Sequence, residues 1–373
     1  MNEAACDIVL IGGGHSHVAV LAEWAKRGCP AKRATLLTPQ PFLRYSGMVP
    51  GGIAGEHERD AGLVDLAGLA KAAGAELVLD RCVAFDPVSR NVLTLENGLI
   101  PFRIASVDVG GVGRAAKIVG ADPRLRDVRP IDGFVEGLKG EGLAAQKVVV
   151  IGGGAGGVEL AFALRNRARN RGHGADEPDI TLIAGEKGLL PSFSKTVRSV
   201  VEAEFERQEV AVLPVDAWIE RGVLAAGEVE VEADMIVAAV GSGAPDWPRA
   251  GGLAVDADGF IEVDAHQRSP SHPHVFAAGD CAQRTDTRVD HAGVHAVHAG
   301  PVLAANLRAA LTGREPTKTY TPRSASRYLL STGNGEAILS YGNWAAQGRW
   351  VARLKAWIDK GWIAKYAALS NRA

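Results

Sequence analysis

Two clusters of glycine hold the residues best placed to do chemistry. Gly12-Gly13-Gly14 follows the apolar run Val9-Leu10-Ile11, and Gly152-Gly153-Gly154 follows Val149-Val150-Ile151, 140 residues later. Where a strand passes through such a turn into a helix, glycine lets backbone amides approach a pyrophosphate, and the positive end of the helix favours its charge. The second cluster runs on as Gly152-x-Gly154-x-x-Gly157, whereas in the first His17 replaces the third glycine. Helix-like stretches follow both, His17 to Lys26 and Gly157 to Arg169, and each leads to a further apolar run, 34–37 and 180–183. Two such units in tandem point to two nucleotide-binding domains, with a dinucleotide in at least the first. Glycines serving only close strand–helix packing account less well for both.

Each unit departs from the usual pattern where an acid at the end of the second strand would meet a ribose hydroxyl. Thr38 stands there in the first, and Ala184, with Glu186 two residues on, in the second. Thr38 can make one hydrogen bond; Glu186 reaches a ribose only if its loop curls back, and Lys187 beside it leaves NADH and NADPH both open. A third feature is the run Val275 to Asp280, which puts a carboxylate at the ligand-binding edge of a parallel sheet. Capping the next helix is the alternative role for Asp280. His15 and His17 in the first turn either cover a ligand or pack. His291, His295 and His298 are spaced to share one helix face, yet no acid or cysteine is spaced to join them, so no metal is expected.

The elements that must position these residues imply an α/β fold with two Rossmann-like parallel sheets. A hairpin is expected from Leu77-Val78-Leu79 to Val92-Leu93-Thr94-Leu95 through the turn Asp86 to Asn91, with a strand from Ile104 to Val109. Another strand, Met235 to Val240, ends at Gly241. A linker follows over 241–259, then a helix from His291 to Leu311. The tail should hold a hairpin, Tyr328 to Tyr341, turning at Asn334-Gly335 as a type I′ turn. Beyond it, 344–366 reads as a basic amphipathic helix. Trp350, Val351, Leu354, Trp357, Ile358 and Trp362 share one side, flanked by Arg349, Arg353, Lys355, Lys360 and Lys365, and Gly361 interrupts it. Its tryptophans pack on the protein itself, across a homodimer, or on lipid.

These residues together resemble the flavin-dependent pyridine nucleotide-disulfide oxidoreductase superfamily over nearly the whole length. Gly12-Gly13-Gly14-His15-Ser16-His17, followed by Tyr45-Ser46-Gly47-Met48-Val49-Pro50-Gly51, looks like the type II NADH dehydrogenase-like flavoproteins, including those fused to or found beside selenide water dikinase. The resemblance implies a three-layer, glutathione reductase-like arrangement with FAD in the first unit and NAD(P)H in the second. The implied domains are an FAD domain from 1–115 and 246–312, a linker at 116–145, a nicotinamide domain at 146–245 and a tail at 313–373. It implies cofactor contacts from Gly12, Gly14, His15, Ser16, His17, Thr38, Arg44, Val83 and Gly110 in the first part. Further along it implies contacts from Gly152, Gly154, Ala155, Gly157, Glu186, Gly241, Gly279, Asp280 and Ala292. Glu159 would meet the nicotinamide carboxamide, or else simply complement a helix dipole as a first-turn acid. His291 would stabilise charge on the reduced flavin, or else stay solvated.

The disulfide-relay branches of that superfamily need two sulfurs a short loop apart. The segment 41–55 has none, and Cys6, Cys29, Cys82 and Cys281 are scattered. The expected activity is therefore hydride transfer from NAD(P)H to FAD, with electrons passed to a quinone-like acceptor and no redox disulfide. A non-catalytic nucleotide-responsive flavoprotein and a reductase of a small iron–sulfur protein are the alternatives. With 373 residues and a net charge of −2, the chain can bury two cores and lacks a global grip on nucleic acid. Glycine, at 45 residues, exceeds the usual share without any low-complexity run. No apolar run spans a bilayer and no secretory leader begins the chain, so a cytoplasmic protein is expected, peripheral on the membrane's inner face only if the tail meets lipid rather than protein.

Overall fold

The computed structural model describes residues 5–138, 146–170, 178–322 and 327–371. The first apolar run is β1 (Cys6–Ile11), which turns through the glycines into α1 (His15–Arg27) and returns as β2 (Ala34–Thr38). Helices α2 (Val49–Ala54) and α3 (Leu66–Ala73) follow, then β3 (Glu76–Leu79), β4 (Cys82–Asp86), β5 (Asn91–Thr94) and β6 (Leu99–Val107). Parallel pairing puts β1 between β2 and β6, with β3 outside β2. Ile8, Leu10 and Leu36 are fully buried because helices cover the sheet, which is why these strands read as continuous apolar runs.

A second parallel sheet is built from β7 (Leu125–Asp127), β8 (Lys147–Ile151), β9 (Asp179–Ile183), β10 (Ala211–Leu213) and β11 (Met235–Ala238), in the order β10-β9-β8-β11-β7. Helix α4 (Ala155–Asn170) joins β8 to β9. The chain then returns to the first sheet as β12 (Val275–Ala277), parallel to β6. It continues as α5 (Gly293–Leu311), the antiparallel strands β13 (Tyr328–Ser331), β14 (Ala337–Tyr341) and β15 (Trp344–Gly348), and α6 (Arg349–Ser370).

Several expectations need correction. The turn Asp86 to Asn91 joins β4 to β5, not Leu77-Val78-Leu79, because Asp80 ends β3 by accepting amides of Arg81, Glu96 and Asn97. Segment 116–145 is not a bare linker: it supplies β7 to the second sheet, while 139–145 lies outside the described residues. Stretch 241–259 contains a short helix, Trp247–Ala250. The tail hairpin forms, but its loop has Gly333 and Gly335 in the left-handed region rather than Asn334. Asn334 Oδ1 instead accepts from Thr332 Oγ1 and the Glu336 amide, a side-chain turn replacing type I′. Trp344 belongs to a third strand. Gly361 does not break α6, since burial of Val351, Tyr366 and Leu369 on one face outweighs a glycine's cost of about 1 kcal/mol.

Candidate functional site

The first glycine turn leaves no room for side chains. At Gly12, φ is +95° and an added Cβ would lie 2.3 Å from the Asp108 carbonyl oxygen. At Gly14 a Cβ would meet the Asp108 carboxyl at the same distance. Asp108, at the end of β6, was missed in the sequence, although the strand-end reasoning applied to Asp280 fits it equally. Its carboxylate accepts the Ser16 amide at 2.7 Å and the His17 amide at 3.0 Å, so it sits at the positive end of α1. Burial pushes this carboxyl up to about 7; the two amides oppose the rise and Asp280 adds to it.

His17 is resolved as a brace. Its Nδ1 lies 2.6 Å from the Gly12 carbonyl and its Nε2 2.8 Å from Ser106 Oγ, so neither ring nitrogen remains for a ligand. Ser16 Oγ donates to the Ala296 carbonyl and ties α1 to α5. His15 differs: its Nε2 is buried with no partner, and burial holds its ring near 4, hence neutral. Amides of Gly13 and His15 also carry no hydrogen bond among the described residues. Open amides and a cradle that only glycine fits suit the pyrophosphate of a dinucleotide such as FAD. Thr38 Oγ1 would be 3.2 Å from a Cβ on Gly13 and faces the same turn.

The late strand end completes this site. Gly279 would place a Cβ 2.3 Å from Asp108 Oδ1, so Gly14 and Gly279 converge on one carboxylate while Gly12 meets the backbone carbonyl of the same residue. Asp280 pairs with Arg129 at 2.8 Å and caps no helix, since α5 begins only at Gly293. Arg129 lies in the supposed linker and carries no motif that could have flagged it. A cavity of about 40 Å³ is lined by Gly279, Asp280, His291, Ala292 and His295. His291 precedes α5 instead of opening it, because Ala292 is extended and the His291 ring lies 3.9 Å from that of Phe260. Its Nε2 is buried and unpartnered. The expected shared face of three histidines is therefore lost; His295 Nδ1 bonds the Tyr320 hydroxyl at 2.7 Å. Arg44 is buried and spent on Asp132, Asp60 and the Arg59 carbonyl, which removes it from cofactor contact. Val83 is exposed at a bulge between β4 and β5. The loops of Gly110 and Gly241 meet through reciprocal bonds between Val112 and Gly243.

The second turn is more open. Gly152 has φ +128°, and a Cβ on Gly157 would lie 1.9 Å from the Gly152 oxygen, so its third glycine is required where the first turn has His17. Beside it lies a recess of about 260 Å³ lined by Gly153, Gly154, Ala184, Glu186, Lys187 and Asp216. Ala155 opens α4 at its edge. Asp216 is a second residue that the sequence reading passed over: its carboxylate accepts the Glu186 amide at 3.1 Å and lines the wall left bare by Ala184.

Glu159 lies in the second turn of α4, so the first-turn dipole role does not apply. Its carboxylate accepts the Ser331 amide at 2.8 Å. Burial pushes it up to about 7 against the pull of Lys355. Lys355 itself donates to Asp359 and to the Gly47 carbonyl, anchoring α6 over the first unit. On that helix Trp362 stacks on Tyr45 at 4.4 Å, lies 5.4 Å from the His15 ring and meets Tyr366 edge-on. Trp362 Nε1 is buried without a partner. Trp344 and Trp357 remain 79% and 74% exposed, so the tail's tryptophans divide between packing and solvent.

Residues 6–300 match the family model described as pyridine nucleotide-disulphide oxidoreductase. The chain belongs to that family. Its members bind FAD and NAD(P)H and are oxidoreductases, which agrees with the cofactors and class expected from the glycine turns. Ferroptosis suppressor protein 1 of Taeniopygia guttata is 29% identical over 236 residues, 58% of this chain and 57% of that protein. The chain thus spans a little over half of that relative's length. Among solved structures, sulfide:quinone oxidoreductase from Aquifex aeolicus aligns with TM-score 0.77 at 17% identity, covering 98% of this chain and 92% of that one. Water-forming NADH oxidase from Lactobacillus brevis, bound to NADH, aligns at 0.72 and 20% identity, covering 91% and 75%. At those identities the likeness shows the shared two-domain α/β fold. Among the described residues no group of histidine, cysteine and acid side chains could hold a metal, and no helix is long and apolar enough to cross a membrane.

Proposed function

We propose that this family member oxidises NAD(P)H through FAD and delivers the electrons to a quinone-like acceptor without a redox-active disulfide, as a type II NADH dehydrogenase-like enzyme of the subgroup related to the selenide water dikinase flavoprotein. The observation that carries this reading is the stack of His15, Tyr45 and Trp362. It joins the first glycine turn to α6 and presents two unpaired buried ring nitrogens, His15 Nε2 and the Trp362 Nε1 donor. Flat aromatic walls with a few buried donors suit a planar acceptor whose carbonyl oxygens need hydrogen bonds. The names of two neighbours, a sulfide:quinone oxidoreductase and an NADH oxidase, lend support to the two half-reactions.

When bound, FAD supplies the two-electron relay. The chain's own residues orient and neutralise. Gly13 and His15 amides would hold the pyrophosphate, Asp280 with Arg129 would hold the ribityl side, and His291 would face the ring at the small cavity. Glu159, buried and raised to about 7, would be able to hold or release a proton near neutrality. Cysteine chemistry is unsupported: all four thiols are free, and burial raises Cys6 to about 11 and Cys82 to about 12. Asp216 and Glu186 together line the ribose wall and favour NADH, since a 2′-phosphate would face two carboxylates against the single cation of Lys187. The exposed Trp344 and Trp357 support peripheral contact with a membrane surface.

The test is anaerobic stopped flow. NADH should bleach the flavin, and a short-chain ubiquinone should restore its colour. Trp362→Leu should slow the second step at least tenfold and leave the first within a factor of two. Reoxidation no faster with the quinone than with buffer would remove the acceptor from this reading.

A further inference from the structure

A groove of about 680 Å³ runs between α1 and α5, far larger than the nucleotide recess and lined by none of the glycines of either turn. Lys26, on its rim, lies twelve residues along α1 from Gly14, roughly 18 Å at the helical rise. The floor is small and apolar, made by Ala19, Ala22, Pro301, Ala304 and Ala305. Its walls carry Lys26, Arg27, Arg314, Lys318 and Lys365, the last contributed by α6.

Their charge is not answered from within. The groove's two carboxylates are already engaged: Glu23 takes both arms of Arg308 at 2.7–2.8 Å, and Glu315 pairs with Arg268 outside at 3.3 Å. Among the described residues none of the five wall cations forms an ion pair. In a chain whose net charge is −2, this is a local concentration of positive charge. Burial, and then the facing Lys26, hold the Lys365 ammonium below its usual range, so like charges meet here without relief. The wall is also rigid. Asn306, fully buried, donates to the carbonyls of His266 and Lys318 and accepts the Lys318 amide, which pins the loop bearing Arg314, Thr317 and Lys318.

We propose that this groove is a second ligand site, separate from the redox centre, that takes a phosphorylated anion carrying at least two negative charges. Converging cations with a prepositioned loop match phosphate oxygens, and the alanine floor accepts an apolar ring or chain attached to them. The phosphate groups belong either to a free organic phosphate or to a lipid headgroup.

The FAD-loaded full chain is titrated calorimetrically with inorganic triphosphate at low ionic strength. One saturable site is expected. Lys26→Gln combined with Lys365→Gln should weaken it at least tenfold while the flavin spectrum and melting temperature stay as in the parent. Lys187→Gln, in the nucleotide recess, should leave it unchanged. Absence of saturable binding, or loss in the Lys187 variant with retention in the double variant, overturns the proposal. Vesicles containing phosphatidic acid, assayed at pH 8 where its phosphomonoester is doubly charged, that compete with triphosphate where phosphatidylcholine does not, uphold the groove and assign it to a headgroup; failure of both to compete upholds it and assigns a free phosphate. Flavin bleaching by NADH reads the redox proposal alone, so the two can fail separately.

Discussion

The two glycine turns share strand, loop and helix, yet they are finished differently. Over the first close Asp108, His17, the Asp280–Arg129 pair and the ring stack under α6, leaving a cavity of about 40 Å³. Beside the second lies a recess of about 260 Å³ walled by exposed Glu186 and Asp216. A closed cradle suits a group that stays, and an open one a nucleotide that must leave each cycle. On the function proposed above, the same motif would serve as a prosthetic-group clasp in the first turn and a co-substrate dock in the second, according to what the rest of the fold lays over it.

The comparison breaks most sharply by adding one methyl to each turn. Gly12→Ala forces a Cβ into the Asp108 carbonyl and should yield a colourless protein on purification. Gly152→Ala, 2.4 Å from the Ala239 oxygen, should leave the flavin bound and cut its reduction by NADH about a hundredfold. Equal loss of flavin in both would show that the turns are not specialised.

The second test uses pH. Because the Asp108 carboxyl titrates at about 7, it is neutral below that pH and ionised above it. An ionised carboxylate beside a pyrophosphate is repelled, so FAD affinity should fall about tenfold per unit above pH 7, read by quenching of flavin fluorescence. Asp108→Asn should flatten that dependence. The sign for stability is the same: a carboxyl raised above its unfolded value stabilises most at low pH, and that contribution is lost through pH 7. The flavin-free protein should accordingly melt lower at pH 8 than at pH 6.

A smaller effect sharpens the open turn. Asp216→Asn should raise the KM for NADH about tenfold and bring the NADPH value closer to it, with kcat little changed. The smallest concerns sulfur. Cys29→Ser, at the far end of α1, should keep turnover within a factor of two, and a larger loss would reopen a thiol relay.

Much of the fold was legible because strands buried on both faces and glycine turns leave strong local marks. Gly12, Gly152, Gly157 and the Val275 to Asp280 run are where the sequence placed them. His291 was placed at the opening of a helix, because nothing local shows that Phe260 pins its ring ahead of the helix start. Arg44 was assigned to cofactor, and only the fold shows it spent on Asp132.

What the sequence alone determined is the pair of parallel sheets, the two glycine turns and the scattering of the cysteines, since these follow from residue type and spacing along one stretch of chain. What tertiary structure decided is which groups face those turns. Asp108, Arg129, Asp216 and Trp362 come from separate strands, loops and the last helix, and their burial and pairing depend on packing between elements far apart in sequence. Charge and desolvation act through space, so the chemistry of a buried carboxylate is set by neighbours that local spacing does not reveal.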